Sequence, residues 1–240
     1  MRLQIFKNLG LLALALVWMA ARSDGTTIYT TPPGLNVGDT YRLVFVTSTT
    51  TVATSPDISY YNSFVTNVAD AVPELLALNA TWTVIGSTSA VSAATNIGAT
   101  NSGIYRLDGL EVAAGTAALF ATGAPTNVWL MNGISITQIG DLLDVVVWTG
   151  TNPDGTVGFY SLGDVSKLYG FAGRSTSTST SWIVFGSAPP LLGDSLPLYA
   201  ISSELTVGGA APEPTTIGLT ALGGAFLLLA RRQKRNHILK

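Results

Sequence analysis

Hydrophobic positions along this chain fall into two regimes. They run almost unbroken through residues 9–21 and 215–230, and between those runs they come in short bursts separated by Gly, Pro, Asn, Asp, Ser and Thr. The first burst, Tyr41-Arg42-Leu43-Val44-Phe45-Val46-Thr47, is rich in β-formers and bounded by Gly38-Asp39 and a Thr-rich stretch, which predicts a central strand. Ser55-Pro56-Asp57 then offers a cap, a Pro for the first helical position and an acidic first turn. Ile58, Tyr61, Phe64, Val65, Val68 and Val72 follow at helical spacing, the core-facing stripe of an amphipathic helix. Further on, 82–86 reads as a strand and 89–95 as a short helix. Ile104-Tyr105-Arg106-Leu107 and Leu110-Glu111-Val112 form a hairpin across Asp108-Gly109, and a second helix runs through 115–121. Val145-Val146-Val147-Trp148-Thr149-Gly150 reads as a buried strand, followed by a tight turn at Asn152-Pro153-Asp154-Gly155. The alternating Ser/Thr run at 175–181 predicts a mobile loop, and 182–185 and 198–201 complete the strands. Strands outnumber helices and the helices come early, so the body, residues 25–210, is expected to be a single α+β domain.

The two apolar runs have flanks of their own. Arg2 and Lys7 precede the first, which ends in small residues, so residues 1–24 read as a secretory signal peptide. The second is preceded by Pro212-Glu213-Pro214 and followed by Arg231, Arg232, Lys234 and Arg235. Proline on either side of Glu213 fixes φ and disfavours helix before each ring, holding the tripeptide extended and accessible. Residues 215–230 would span ~24 Å as a transmembrane helix, less than the ~30 Å hydrocarbon core, so Arg231 and Arg232 snorkel or the bilayer thins. The cations place the tail, 231–240, in the cytoplasm.

Between these basic ends the body carries four basic against 12 acidic side chains, a net charge of −8. Such a surface lacks the footprint that a phosphate backbone requires, so nucleic acid is not an expected partner. The chain has no cysteine, which excludes disulfides, thiolate metal sites and thiol nucleophiles. Its one histidine, His237, lies in the predicted tail, so no imidazole is available in the body for a triad or a metal. No cofactor is expected.

What chemistry remains rests on oxygen and aromatic groups. Asp141/Asp144 and Asp108/Glu111 are the carboxylate pairs nearest in sequence, the minimum a glycosidase needs. Asn152, Asp154 and Asp164 supply oxygen ligands suited to calcium, though without a 12-residue loop pattern. Turn and cap duties account for the same residues. Trp82, Trp148 and Trp182 sit in apolar runs and read as core, whereas Trp129, among Asn127, Met131 and Asn132, is the candidate for stacking on a sugar ring.

The Pro-Glu-Pro tripeptide, the Gly/Ala/Leu-rich segment and the Arg-rich cluster together resemble the bacterial PEP-CTERM sorting signal over residues 211–235. That resemblance implies processing at Pro212-Glu213-Pro214 by an exosortase, after signal peptidase has acted at the other end. It also implies a Gram-negative host, a membrane-held precursor, and a mature form at the cell surface or in an exopolysaccharide matrix. The order of elements in residues 40–207, with Val147-Trp148-Thr149-Gly150-Thr151-Asn152-Pro153-Asp154-Gly155 its most specific part, is similar to the endostatin-like branch of the C-type-lectin-like fold. The cysteines, zinc ligands and Arg-rich surface of that branch are absent from this chain, so metal and heparin binding do not carry over. The expectation is a non-enzymatic envelope or matrix protein with a structural or ligand-binding body. The alternatives are a carboxylate-dependent carbohydrate hydrolase and a membrane-anchored lectin.

Overall fold

Strand β1 (Thr40–Val46) is apolar on both faces because both faces are covered. Tyr41, Leu43 and Phe45 enter one core, and Val44 and Val46 enter another. The computed structural model describes residues 27–120, 130–186 and 189–208. After β1 come α1 (Ile58–Asp70), α2 (Pro73–Leu76), β2 (Trp82–Val84), α3 (Ala93–Ile97), β3 (Gly103–Arg106), β4 (Glu111–Ala113) and α4 (Thr116–Phe120). The second half holds β5 (Val146–Trp148), β6 (Ala172–Arg174), a 3₁₀ turn at Thr180–Trp182, β7 (Tyr199–Ser202) and β8 (Leu205–Thr206). The architecture is mixed α/β of the α+β kind, as expected.

The main sheet runs β2-β7-β1-β3-β4, with β8 also on β1, while β5 and β6 pair separately. All its pairings are antiparallel except β1 with β3, where Tyr41 lies beside Gly103 and Val44 beside Arg106. Val44 faces Ile201 and Tyr41 faces Leu205, so one additional residue is accommodated between β7 and β8. Ser202 fills that bulge: its Oγ accepts from Leu43 N at 2.9 Å and its carbonyl accepts from Arg42 Nε at 2.5 Å. The chain ends of the body are clamped side by side, with Gly38 N donating to Val207 O and Val207 N to Asp39 O, both at 2.9 Å.

Helix α1 turns Tyr61, Val65 and Ala69 inward. Its N-cap is Asp57, which accepts from Ser59 N at 2.9 Å, so Pro56 precedes the cap instead of opening the helix. Helix α3 begins later than the sequence suggests because Ser92, not Ser89, caps it. The β3–β4 hairpin and its positive-φ glycine, Gly109, are as read.

Two expectations fail. Residues 182–185 do not form a strand. Ser179 caps a 3₁₀ turn there, and only Phe185 N reaches a neighbouring strand end, at Ala172 O, 2.7 Å away. The Ser/Thr run is not a free loop either. Ser175 is buried, donating to Leu143 O at 2.5 Å and accepting from Val145 N at 3.0 Å, while Thr178 O accepts from Leu130 N at 2.7 Å.

Both edges of the main sheet are closed from within. On β2, Asn62 and Asn96 side chains take Val84 N and O at 2.9 and 2.8 Å, and Thr66 Oγ1 donates to Trp82 O at 3.1 Å. On β4, Met131 N donates to Val112 O and Asn132 Nδ2 to Glu111 O, at 2.9 and 2.7 Å. Among the described residues, which end at 208, the segment from 27 has two hydrophobic cores, closed sheet edges and a terminal clamp of its own, the attributes of an independently folding domain. No helix among the described residues is long and apolar enough to cross a membrane. The predicted signal peptide and the predicted membrane helix at 215–230 lie outside the described residues.

Candidate interaction surface

The connection from β5 to β6 carries four aromatic residues: Phe159, Tyr160, Tyr169 and Phe171. Its path is set by close approaches that only glycine allows. Gly150 (φ +60) lies against Ser87 O, and Gly163 (φ +74) is pressed onto the Ser55 carbonyl ahead of α1. Phe171 N donates to Tyr160 O at 2.8 Å, folding the excursion back on itself. Tyr160 then packs edge to face with Phe159, Phe171 and Tyr169, at ring-centroid distances of 4.8, 5.4 and 6.2 Å.

Around this aromatic knot a group of outward side chains is apolar. Phe159 is 63% exposed, Val165 65%, Leu168 64%, Leu191 50% and Tyr169 40%. Leu191 joins the patch because it bridges to Tyr169, and Leu192 N donates to Leu168 O at 2.9 Å. Lys167 lays its ammonium over the Phe159 ring, 3.9 Å from the centroid. Leu168 holds φ at +63°, a left-handed conformation that costs a branched residue about 1 kcal/mol or more.

The patch has a defined place in the fold. The strand pair formed by β1 and β7 keeps running past Val46: Thr47 N bonds Leu198 O, Thr51 bridges Leu196, and Ala53 N bonds Leu192 O. Ala53 O in turn accepts from Gly163 N at 2.8 Å. The patch is therefore rooted at the far end of β1, ~20 Å beyond the strand's start for its length alone, and opposite the Asp39–Val207 clamp.

Of the carboxylates named from the sequence, Asp108, Asp144, Asp154 and Asp164 are each engaged by side chains or turns of the fold. Asp108 pairs with Arg106 at 2.5 Å, and its proposed companion Glu111 lies across the hairpin on β4. Asp144 holds Arg174 through both oxygens at 2.8 and 2.7 Å and also accepts from Thr176, while Asp141 lies in a separate turn below Thr137. Asp154 and Asp164 each fold back on their own turns, accepting from Thr156 and Ser166, and Asn152 spends its amide on Thr156 and Val157. Among the described residues no three His, Cys, Asp or Glu side chains gather. Asp57, Asp144 and Asp154 all have carboxyls held below the usual range, chiefly by hydrogen bonds from Ser59, Arg174 and Thr156 respectively. A general acid needs the opposite shift.

One polar cluster lies at the clamped end. Glu204, in the β7–β8 bulge, accepts from Ser102 at 2.6 Å and Thr100 at 2.8 Å, and these bonds lower its pKa, with Arg42 adding to the effect. Arg42 is 5% exposed and donates to Ser202 O and Ile97 O. Burial lowers its pKa and Glu204 opposes that. Arg42, Ser102 and Thr100 thus tie Ser202 and Glu204 of the bulge to β1, α3 and the loop before β3, so the cluster holds β8 in place.

Trp82, Trp148 and Trp182 are core residues, as expected. Trp129 lies outside the described residues, as do Pro212, Glu213, Pro214, Arg231, Arg232, Lys234 and Arg235. The exposed patch was missed in the sequence because its members stand singly in a Gly/Ser-rich connection; the crowding of aromatics over 159–171 was the available signal. No protein-family model matches the chain, and no curated protein matches it significantly.

Proposed function

We propose that the chain is an exported, non-enzymatic protein of the Gram-negative envelope or extracellular matrix, processed at a C-terminal sorting signal. Residues 1–24 direct export, and signal peptidase removes them. The helix at 215–230 holds the precursor in the inner membrane, and an exosortase-like enzyme acts at Pro212-Glu213-Pro214. The observation that carries this reading is the order of parts at the C-terminus, an extended acidic Pro-Glu-Pro, an apolar run and a cationic stop, in a chain whose other end is a basic-apolar leader.

The body acts as a structural or ligand-binding module, with exopolysaccharide as its candidate surroundings, and belongs in our reading to the endostatin-like branch of the C-type-lectin-like fold. That assignment draws support from its first and last strands, β1 and β7–β8, lying side by side in one sheet. The clamp at Val207 supports the tethered arrangement, because a tail leaving there keeps the exposed patch on the side away from the membrane. The downward-shifted, hydrogen-bonded carboxylates favour a binding or structural role over hydrolysis.

The test is cell fractionation of an epitope-tagged chain with and without Glu213→Ala. The account expects the wild-type body at the surface or in the matrix and the variant retained in the inner membrane. Identical placement of both in the inner membrane would overturn the sorting reading.

A further inference from the structure

Five large apolar side chains that stand 40% to 65% exposed on one end of an acidic protein call for a partner. We propose that the patch of Phe159, Val165, Leu168, Tyr169 and Leu191 is a homophilic contact. Two copies of the chain pack it face to face about a twofold axis, with their clamped ends pointing apart.

The area is that of a small but specific interface. At ~200 Å² for a large side chain, these exposures amount to about 560 Å² per copy and, fully covered, about 1,100 Å² for a pair, near the lower bound for a specific contact. Most of it comes from aliphatic groups and the Phe159 edge, which offer a sugar no hydrogen bonds. One face of the Phe159 ring is covered by the Lys167 ammonium. A saccharide platform needs open ring faces, and Tyr160 is boxed in edge to face by three neighbours.

The charges around the patch complement themselves. Lys167 stands at it with Asp164 before it and Asp194 just beyond Leu191, and the two carboxylates are held by their own turns at Ser166 and Leu191 N. A twofold brings the lysine of one copy toward a carboxylate of the other, the reciprocal pairing that an isologous contact requires. The rest of the body is net acidic, so two copies repel at a distance; salt screens that repulsion together with the lysine–carboxylate pairs, and the apolar area holds the contact at high ionic strength.

The geometry of the fold gives the contact a direction. Because the patch lies beyond the far end of β1 from the Asp39–Val207 clamp, a pair joined through it has its two chain ends at opposite extremities. Such a dimer joins two surfaces, or two points in a matrix, instead of pairing neighbours on one surface. This inference concerns the folded body alone and stands whether or not the tail is a sorting signal.

The experiment is sedimentation velocity on residues 27–208 over a range of concentrations and salt, together with Leu168→Asp and Leu168→Asn. Both replacements tolerate φ at +63° better than leucine, so the fold is retained, checked by near-ultraviolet circular dichroism. The expected result is a wild-type dimer that persists at high salt, with the midpoint concentration raised at least tenfold by either variant. The chain has no cysteine, so a single Val37→Cys label near the clamp reports orientation. Labels ~40 Å or more apart are expected in the dimer, from two strand lengths end to end. A wild-type body monomeric throughout overturns the proposal, as does a dimer indifferent to Leu168 or one with its labels close together. Binding of a monomeric body to phosphatidylcholine vesicles or to cellulose, lost in Leu168→Asp, would give the patch to lipid or glycan and overturn it equally.

Discussion

Asn62 on α1 and Asn96 on α3 bond each other in both directions, at 3.0 and 2.9 Å, and the same two amides complete the outer edge of β2. Asn62 Oδ1 also accepts from Val84 N, and Asn96 Nδ2 also donates to Val84 O. Two helices and an edge strand are thus joined through one backbone residue. A three-residue edge strand carries little ladder of its own, and side-chain amides take the place of the missing neighbour.

Removing either amide leaves one backbone group of Val84 without its partner and costs the other amide its bonds across the pair. Asn62→Ala and Asn96→Ala are each expected to cost ~1–3 kcal/mol by urea unfolding, with strong non-additivity in the double variant. Simple addition of the two losses would show that the amides act independently.

Trp82 and Trp148 are equally buried, yet differ in one bond. Trp148 Nε1 donates to Thr51 O at 3.2 Å, whereas Trp82 Nε1 has no partner among the described residues. Trp148→Phe therefore removes one of the two hydrogen bonds to the Thr51 carbonyl, which keeps Leu196 N at 3.1 Å, while Trp82→Phe removes an unpaired donor. The account expects Trp148→Phe to be the more destabilising by ~1 kcal/mol or more. The reverse order in thermal or urea unfolding would contradict it.

Gly173 on β6 lies so close to the Trp182 carbonyl that a Cβ cannot be accommodated without moving backbone. Gly173→Ala is expected to lose more than ~3 kcal/mol or fail to fold, whereas Gly193→Ala, with open space around it, stays within ~0.5 kcal/mol. Comparable midpoints for the two would show that the 3₁₀ turn does not rest on β6 as described.

Much of this arrangement was legible in the sequence. β1, the α1 stripe, the Asp108-Gly109 hairpin and the core tryptophans follow from periodicity and turn chemistry, because local preference and burial agree there. The failures share a cause. Residues 182–185 have the apolar run of a strand, but the Ser179 cap and the packing of Trp182 against Gly173 make a 3₁₀ turn, a tertiary constraint that a four-residue pattern does not encode. The Ser/Thr run is polar in composition, yet its hydroxyls satisfy buried backbone groups around Leu143 and Val145, contacts about 30 residues distant in the chain. The parallel pairing of β1 with β3 and the exposed patch are likewise products of topology.

Acid should weaken the clamped end. Hydrogen bonds from Ser102 and Thr100 lower the Glu204 pKa in the folded chain. Its contribution is therefore fully present above the unfolded carboxyl value of about 4.3, and is lost as pH falls through the lower folded value. Glu204→Gln is expected to flatten the acid limb of the stability profile and to speed amide exchange in β8 at neutral pH. An unchanged acid limb would remove Glu204 from the account.

The central claim concerns both ends of the chain, and intact mass of the mature protein tests it most directly. The account predicts a species beginning near residue 25 and ending close to Pro212-Glu213-Pro214, and an added mass at that new C-terminus would report what it is joined to. Recovery of the full 25.0 kDa chain, with its C-terminal cations still attached, would contradict it.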